Sequence, residues 1–226
     1  MRFAVPRGNP DQGAAPRSDE ERTVSRTTPV TASSPNEEAL PSRIRLPFAF
    51  DAGALAVEAL AFDEGAWRKH FNRAYYECDW SYVSLRTPFG RLPAAPDPTG
   101  TAPFADTTNL ERCPAVRGVL AELACETKSV RLLRLGPAAR ILEHEDHNIG
   151  VDYGFVRLHV PVMTGPGVEF VLAGEPLHMA PGECWYLDVS NAHSVTNSGP
   201  GPRIHLVVDC VVNPALMRML TAPLSC

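Results

Sequence analysis

From Ser129 onward the chain alternates apolar and polar residues in short runs, and Gly or Pro closes each run. A period of two belongs to a strand whose two faces meet different surroundings. The pattern predicts strands over 130–135, 139–145, 155–162, 169–173, 184–189 and 204–211. Breakers such as Gly165-Pro166-Gly167, Pro181-Gly182 and Ser198-Gly199-Pro200-Gly201-Pro202 stand between them. Upstream the period lengthens. Leu55, Ala59, Leu60 and Phe62 make a helical stripe behind Asp51, a fitting N-cap, and predict a helix over 51–62. Val116, Val119, Leu120 and Leu123 predict a second over 114–125. Residues 44–48 read as a short strand-like entry and 80–85 as a strand in an aromatic stretch. Residues 87–104, with five prolines and two glycines, read as an irregular loop and a candidate lid. Many short strands with Gly/Pro turns predict a β-sandwich or barrel, with the helices packed on one outer sheet.

The first 43 residues lack this patterning. They are rich in Pro, Ser, Thr, Arg and Glu, so a disordered or loosely attached leader is expected over 1–43 and a folded domain over 44–226. The whole chain has 226 residues, of which 44% are hydrophobic, enough for a sizeable core. A net charge of −5 gives no basic footprint, so no nucleic-acid partner is expected. No apolar run approaches the length of a membrane span, and the N-terminus has no apolar signal segment. A cytoplasmic location with no membrane contact is the expectation. None of the six cysteines (Cys78, Cys113, Cys125, Cys184, Cys210, Cys226) forms a C-x-x-C pair, so free thiols are expected rather than a zinc site.

The chemistry gathers in the β region, where six of the seven histidines fall between His144 and His205. His144 and Asp146 stand two apart, a spacing that sends both side chains to one face of a strand. His193 enters a later strand and can close a triad with them. Two His and one carboxylate leave coordination positions open, the donor set of a non-haem Fe(II) oxygenase site. Arg203 lies ten residues beyond His193 and could grip the far carboxylate of an acidic cosubstrate. Arg157 and His159 share one face of their strand, opposite Leu158, Val160 and Val162. Alternation alone leaves open whether that polar face points into a barrel or into water. The His144, Asp146, His193 and Arg203 set favours the inward placement. His70, His147, His178 and His205 read as core or surface residues, and the aromatics over 67–82 as packing.

The segments Tyr76-Glu77-Cys78-Asp79-Trp80-Ser81, His144-Glu145-Asp146, Arg157-Leu158-His159-Val160-Pro161-Val162, Pro181-Gly182-Glu183, Asn191-Ala192-His193-Ser194-Val195 and Arg203-Ile204-His205-Leu206-Val207-Val208-Asp209 together resemble the aspartyl/asparaginyl β-hydroxylase family of Fe(II)/2-oxoglutarate dioxygenases. The likeness is greatest to small bacterial members that hydroxylate amino acids or N-substituted amino acids. It departs at Cys78, where the family often has Gly. The resemblance implies a double-stranded β-helix, the jelly-roll or cupin-like fold. It also implies Fe(II), 2-oxoglutarate and O₂ as cofactors and a small amino-acid-type substrate. Carried over residue by residue, His144, Asp146 and His193 would bind iron. Arg203 and His159 would bind 2-oxoglutarate. Arg157 would meet a carboxylate of the cosubstrate or of the substrate, and Arg86, less directly, that of the substrate. Related halogenases replace the metal-binding carboxylate, so Asp146 implies hydroxylation. Two rivals stay open at this point: a cupin-type metalloenzyme that does not use 2-oxoglutarate, and a non-catalytic jelly-roll binding domain.

Overall fold

The computed structural model describes residues 40–93 and 102–222. The expected leader falls outside them except for its last four residues. In chain order the elements are β1 (Arg43–Ala49), α1 (Ala52–Leu60), β2 (Arg68–Lys69), β3 (Tyr76–Glu77), β4 (Trp80–Pro88), β5 (Phe104–Asp106), α2 (Pro114–Glu122), β6 (Thr127–Leu135), β7 (Ala139–His144), β8 (Phe155–Met163), β9 (Val168–Leu172), β10 (Glu175–Leu177), β11 (Glu183–Leu187), β12 (His193–Asn197), β13 (Arg203–Val211) and α3 (Pro214–Leu220). The larger sheet runs β1-β11-β8-β13-β6-β4-β2, with β5 paired to β4; the smaller runs β10-β9-β12-β7-β3. All the pairings are antiparallel. Two sheets of this kind form the expected jelly-roll architecture.

The alternation read from the sequence divides the molecule into two cores. Val130 and Leu132 of β6, Val156, Leu158, Val160 and Val162 of β8, and Ile204, Leu206, Val208 and Cys210 of β13 bury one face of the larger sheet beside Leu55 and Ala59 of α1, Val116 and Val119 of α2 and Leu216 and Leu220 of α3. Each fully buried aliphatic side chain there stabilises the fold by about 2 kcal/mol. The second core includes Trp80, Leu135, Ile141, Phe170, Leu172, Leu187 and Val195, drawn from both sheets. The polar faces of β8 and β13 therefore turn away from the helices and toward the inter-sheet space.

Local chemistry sets the ends of the elements. The Asp51 carboxylate accepts from the Ala54 amide, capping α1 as expected. Both helices stop two or three residues short of their predicted ends, and Ala124, with φ +51°, is where α2 can no longer continue. α3 was not anticipated, although Asn213 caps it and Pro214 opens it. The 87–104 segment is not wholly irregular: its two flanks pair as the β4–β5 hairpin, and residues 94–101 lie outside the described residues. Gly182, at φ +83°, sits where a Cβ would come 2.3 Å from the Phe50 carbonyl oxygen, so the turn before β11 needs glycine. Cys78 also has a positive φ, +65°, a conformation that glycine adopts more readily.

Candidate metal centre

The smaller sheet brings His144 and His193 together. They are directly opposed residues of β7 and β12, with ring centroids 4.3 Å apart. Asp146 lies two residues past His144, its backbone N–H donating a hydrogen bond to the Val189 carbonyl (2.9 Å). The ligand atoms of His144, Asp146 and His193 all lie within 4.8 Å of one another. The tautomers suit a metal as well. His144 Nδ1 is 2.8 Å from the Leu142 carbonyl oxygen and His193 Nδ1 is 3.0 Å from that of Asn191. A carbonyl only accepts, so each Nδ1 carries the hydrogen and each Nε2 keeps its lone pair for a ligand. Burial lowers the pKa of His193, which favours the neutral form that metals bind. The residues present thus fit a divalent cation held by two imidazoles and a carboxylate.

A cavity of about 340 Å³ opens beside this set and is lined by all three residues and by Arg131, Arg157, His159, Arg203 and Asp209. The polar face of β8 does point inward, as expected. Register places Asp209 opposite Arg157 and Val207 opposite His159. Arg157 donates from Nε to Asp209 (2.7 Å), from Nη2 to the same carboxylate (3.1 Å), and from Nη1 to Asp146. Arg131 donates to Asp209 as well (3.3 Å). Burial raises the pKa of Asp209, but the two guanidiniums outweigh it and hold the carboxyl below its ordinary value.

The far end of the cavity is different. Arg203 is 2% exposed and pairs with no carboxylate among the described residues. Its Nη2 is 2.9 Å from His205 Nδ1, its Nε has no partner, and its guanidinium lies 5.8 Å from the centre of the Phe170 ring. His159 Nε2 is likewise buried without a partner. Burial, then the Arg203 charge, lowers the pKa of His159 well below the usual histidine value. A buried guanidinium without a counter-charge is costly unless an anion joins it. This end of the cavity fits a carboxylate. Phe170 connects the two ends: its ring stacks parallel to His193 at 6.3 Å and meets His159 edge-on at 6.1 Å.

Arg86 does not join the site. Its donors are taken by the Thr127 carbonyl (2.9 Å), the Phe104 carbonyl (2.9 Å) and Asp106, and it does not line the cavity. The expected clamp on a substrate carboxylate is not met there, because Arg86 ties β4 to its hairpin partner. Lys128 and Arg131, unnoticed in the sequence, line the cavity instead. Lys128 Nζ lies 3.9 Å from the Phe155 ring centre, and Arg131 Nε is buried without a partner. The aromatics over 67–82 divide between two roles. Trp67 packs beneath Arg134 in the outer core, whereas Tyr75 and Trp80 line the cavity and flank His144. His70, stacked on Trp80 at 3.6 Å, lines it as well; burial, then the nearby Arg131, pulls its pKa down to about 4.

Residues 54–213, a span that includes every cavity residue named above, match the protein family described as Aspartyl/Asparaginyl beta-hydroxylase. An L-proline cis-4-hydroxylase of Rhizobium meliloti is 34% identical over 79 residues, 35% of this chain and 28% of that protein. The human aspartate beta-hydroxylase domain-containing protein 1 is 33% identical over 110 residues, 45% of this chain and 27% of that protein. The chain thus spans less than a third of the length of these curated relatives. Among solved structures, an oxidoreductase of the 2OG-Fe(II) oxygenase family from Burkholderia pseudomallei superimposes with a TM-score of 0.53 at 15% identity, covering 75% of this chain and 85% of that one. That likeness is one of fold. Among the described residues, no helix is long and apolar enough to cross a membrane.

Proposed function

Because the chain belongs to the aspartyl/asparaginyl β-hydroxylase family, we propose that it is an Fe(II)- and 2-oxoglutarate-dependent dioxygenase that hydroxylates an unactivated C–H of an amino acid or amino-acid derivative. Residues 44–226 are read as the catalytic domain. The observation that carries the proposal is the pairing of two sites in one cavity: three metal donors with free lone pairs, and a buried arginine without a counter-charge.

His144, Asp146 and His193 would hold the iron, and Arg203 with His159 would receive the far carboxylate of 2-oxoglutarate. When bound, the metal and keto acid would supply the oxidation of a C–H bond by O₂, with release of succinate and CO₂. The chain's own residues bind, orient and exclude water. The Leu142 and Asn191 carbonyls fix the two imidazoles, and Arg157 fixes the Asp146 carboxylate. Phe170, Ile141 and Val195 give the cavity an apolar wall that keeps bulk water from the reacting centre.

The charge balance supports a substrate that brings its own carboxylate. Among the described residues, Lys128, Arg131, Arg157 and Arg203 line the cavity against two carboxylates, Asp146 and Asp209. A divalent metal and a dianionic cosubstrate cancel each other, so the cationic excess remains for a further anion. Arg131 and Lys128 are the groups we assign to it, and a primary amino acid or its N-substituted form carries the matching group.

Adding Fe(II) and 2-oxoglutarate without oxygen should produce a metal-to-ligand charge-transfer band in the visible. The Asp146→Ala protein should lack that band. Aerobic incubation with a panel of amino acids should then give one product heavier by one oxygen, with an equivalent of succinate. A folded protein that shows no band, or an Asp146→Ala variant with unchanged turnover, defeats the proposal.

A further inference from the structure

Arg203 and His205 share the inner face of β13, and the contact between them is chemically one-sided. Nη2 of Arg203 lies 2.9 Å from Nδ1 of His205. A guanidinium has donors only, so His205 must offer a lone pair at Nδ1 and carry its hydrogen on Nε2. The same Nδ1 lies 3.4 Å from Nδ1 of His159. His205 is 2% exposed. Burial, then the Arg203 charge, lowers its pKa well below the ordinary value, consistent with a neutral ring that accepts.

The choice of partner matters electrostatically. A carboxylate in this position would fix Arg203 equally well, but it would also cancel the charge that an incoming dianion needs. A neutral imidazole fixes the guanidinium and leaves its charge uncompensated. Arg157, held by two carboxylates in the same cavity, shows the other solution.

We propose that His205 is a positioning residue for cosubstrate recognition: its Nδ1 lone pair holds Arg203 through Nη2, so that the remaining guanidinium donors meet the distal carboxylate of a 2-oxo diacid. This rests on the 2-oxoglutarate reading above. His205 does not touch the reacting atoms. It acts through Arg203.

The test is a calorimetric titration of the Mn(II)-loaded full chain with 2-oxoglutarate, which needs no turnover. His205→Leu removes the acceptor, whereas His205→Asn keeps a neutral acceptor oxygen near the place of Nδ1. Losing a charge-assisted hydrogen bond should weaken 2-oxoglutarate binding by about tenfold or more in His205→Leu, and His205→Asn should stay within about threefold of wild type. Mn(II) affinity should be the same in all three. Should His205→Leu fail to fold, nitrogen-15 spectra of the labelled wild-type imidazoles decide the matter: His205 as the Nε2–H tautomer supports the assignment, and the Nδ1–H tautomer overturns it. Equal 2-oxoglutarate affinity in wild type and His205→Leu, or equal losses in the Leu and Asn variants, also overturns it while leaving the enzyme reading in place. A Mn(II)-loaded wild type that does not bind 2-oxoglutarate at all sinks the enzyme reading, and the role of His205 with it.

Discussion

Arg157 and Arg203 are arginines of neighbouring strands, both set in one cavity, yet their surroundings are opposite. Burial disfavours the charge of each. At Arg157 the carboxylates of Asp209 and Asp146 outweigh that penalty and raise its pKa above the ordinary value. At Arg203 burial acts alone and lowers it. An arginine compensated from within is part of the scaffold, because its donors are already spent on fixed partners. One left uncompensated is a receptor, because its favourable partner must come from outside. Structure and recognition can thus be told apart by counting carboxylates around each guanidinium, before any ligand is considered.

The largest effect should come from breaking the compensated end. Asp209→Ala leaves Arg157 and Arg131 without their shared carboxylate and should cost about 3 kcal/mol of stability, read by denaturant unfolding of the metal-free protein. A loss below 1 kcal/mol, less than about a third of that figure, would mean that the network is not structural. Arg203→Met should behave in the opposite sense. The metal-free protein should be as stable as wild type or more stable by about 1 kcal/mol, since an uncompensated buried charge has been removed. Its affinity for 2-oxoglutarate should fall about 100-fold, measured on the Mn(II)-loaded protein. If Arg203→Met destabilised the fold as much as Asp209→Ala, the distinction between the two arginines would disappear.

Much of this was legible in the sequence where the information is local. His144 closes β7 and Asp146 follows two residues on, near enough in sequence for the pair to be picked out, and the alternation in β8 correctly turned Arg157 and His159 away from Leu158 and Val160. The rhythm of strands and breakers pointed to a sandwich or barrel, and the family resemblance narrowed that to a jelly roll. Cross-strand register was not legible. Nothing local says that Asp209 stands opposite Arg157, or that Val207 lies beside Arg131, so the network joining three arginine and aspartate positions had to await the sheet. His205 read as a core or surface residue for the same reason, since its meaning depends on Arg203 and on a histidine of another strand. Arg86 misled in the reverse direction. It looked available beside a Pro-rich segment, but a hairpin partner claimed its donors. α3 was an omission rather than a hidden signal: Asn213 followed by Pro214, with Leu216 and Leu220 four apart, is a readable helix start.

Arg131 stands between the two cases and gives the smallest but most discriminating test. It shares Asp209, as a scaffold arginine would, yet its Nε is buried without a partner and it lines the cavity. Burial lowers its pKa despite Asp209, so its compensation is incomplete. Arg131→Met should therefore show a share of each behaviour: a stability loss of about 1 kcal/mol, and a KM for the amino-acid substrate raised about tenfold with 2-oxoglutarate affinity unchanged. A change confined to 2-oxoglutarate would move Arg131 to the cosubstrate end of the cavity. A change confined to stability would return it to the scaffold and leave Lys128 as the remaining cation for the substrate's carboxylate. Because Arg131 and Arg157 draw on the same Asp209, the double variant with Asp209→Ala should lose less stability than the two single losses combined. That non-additivity is what a shared counter-charge requires.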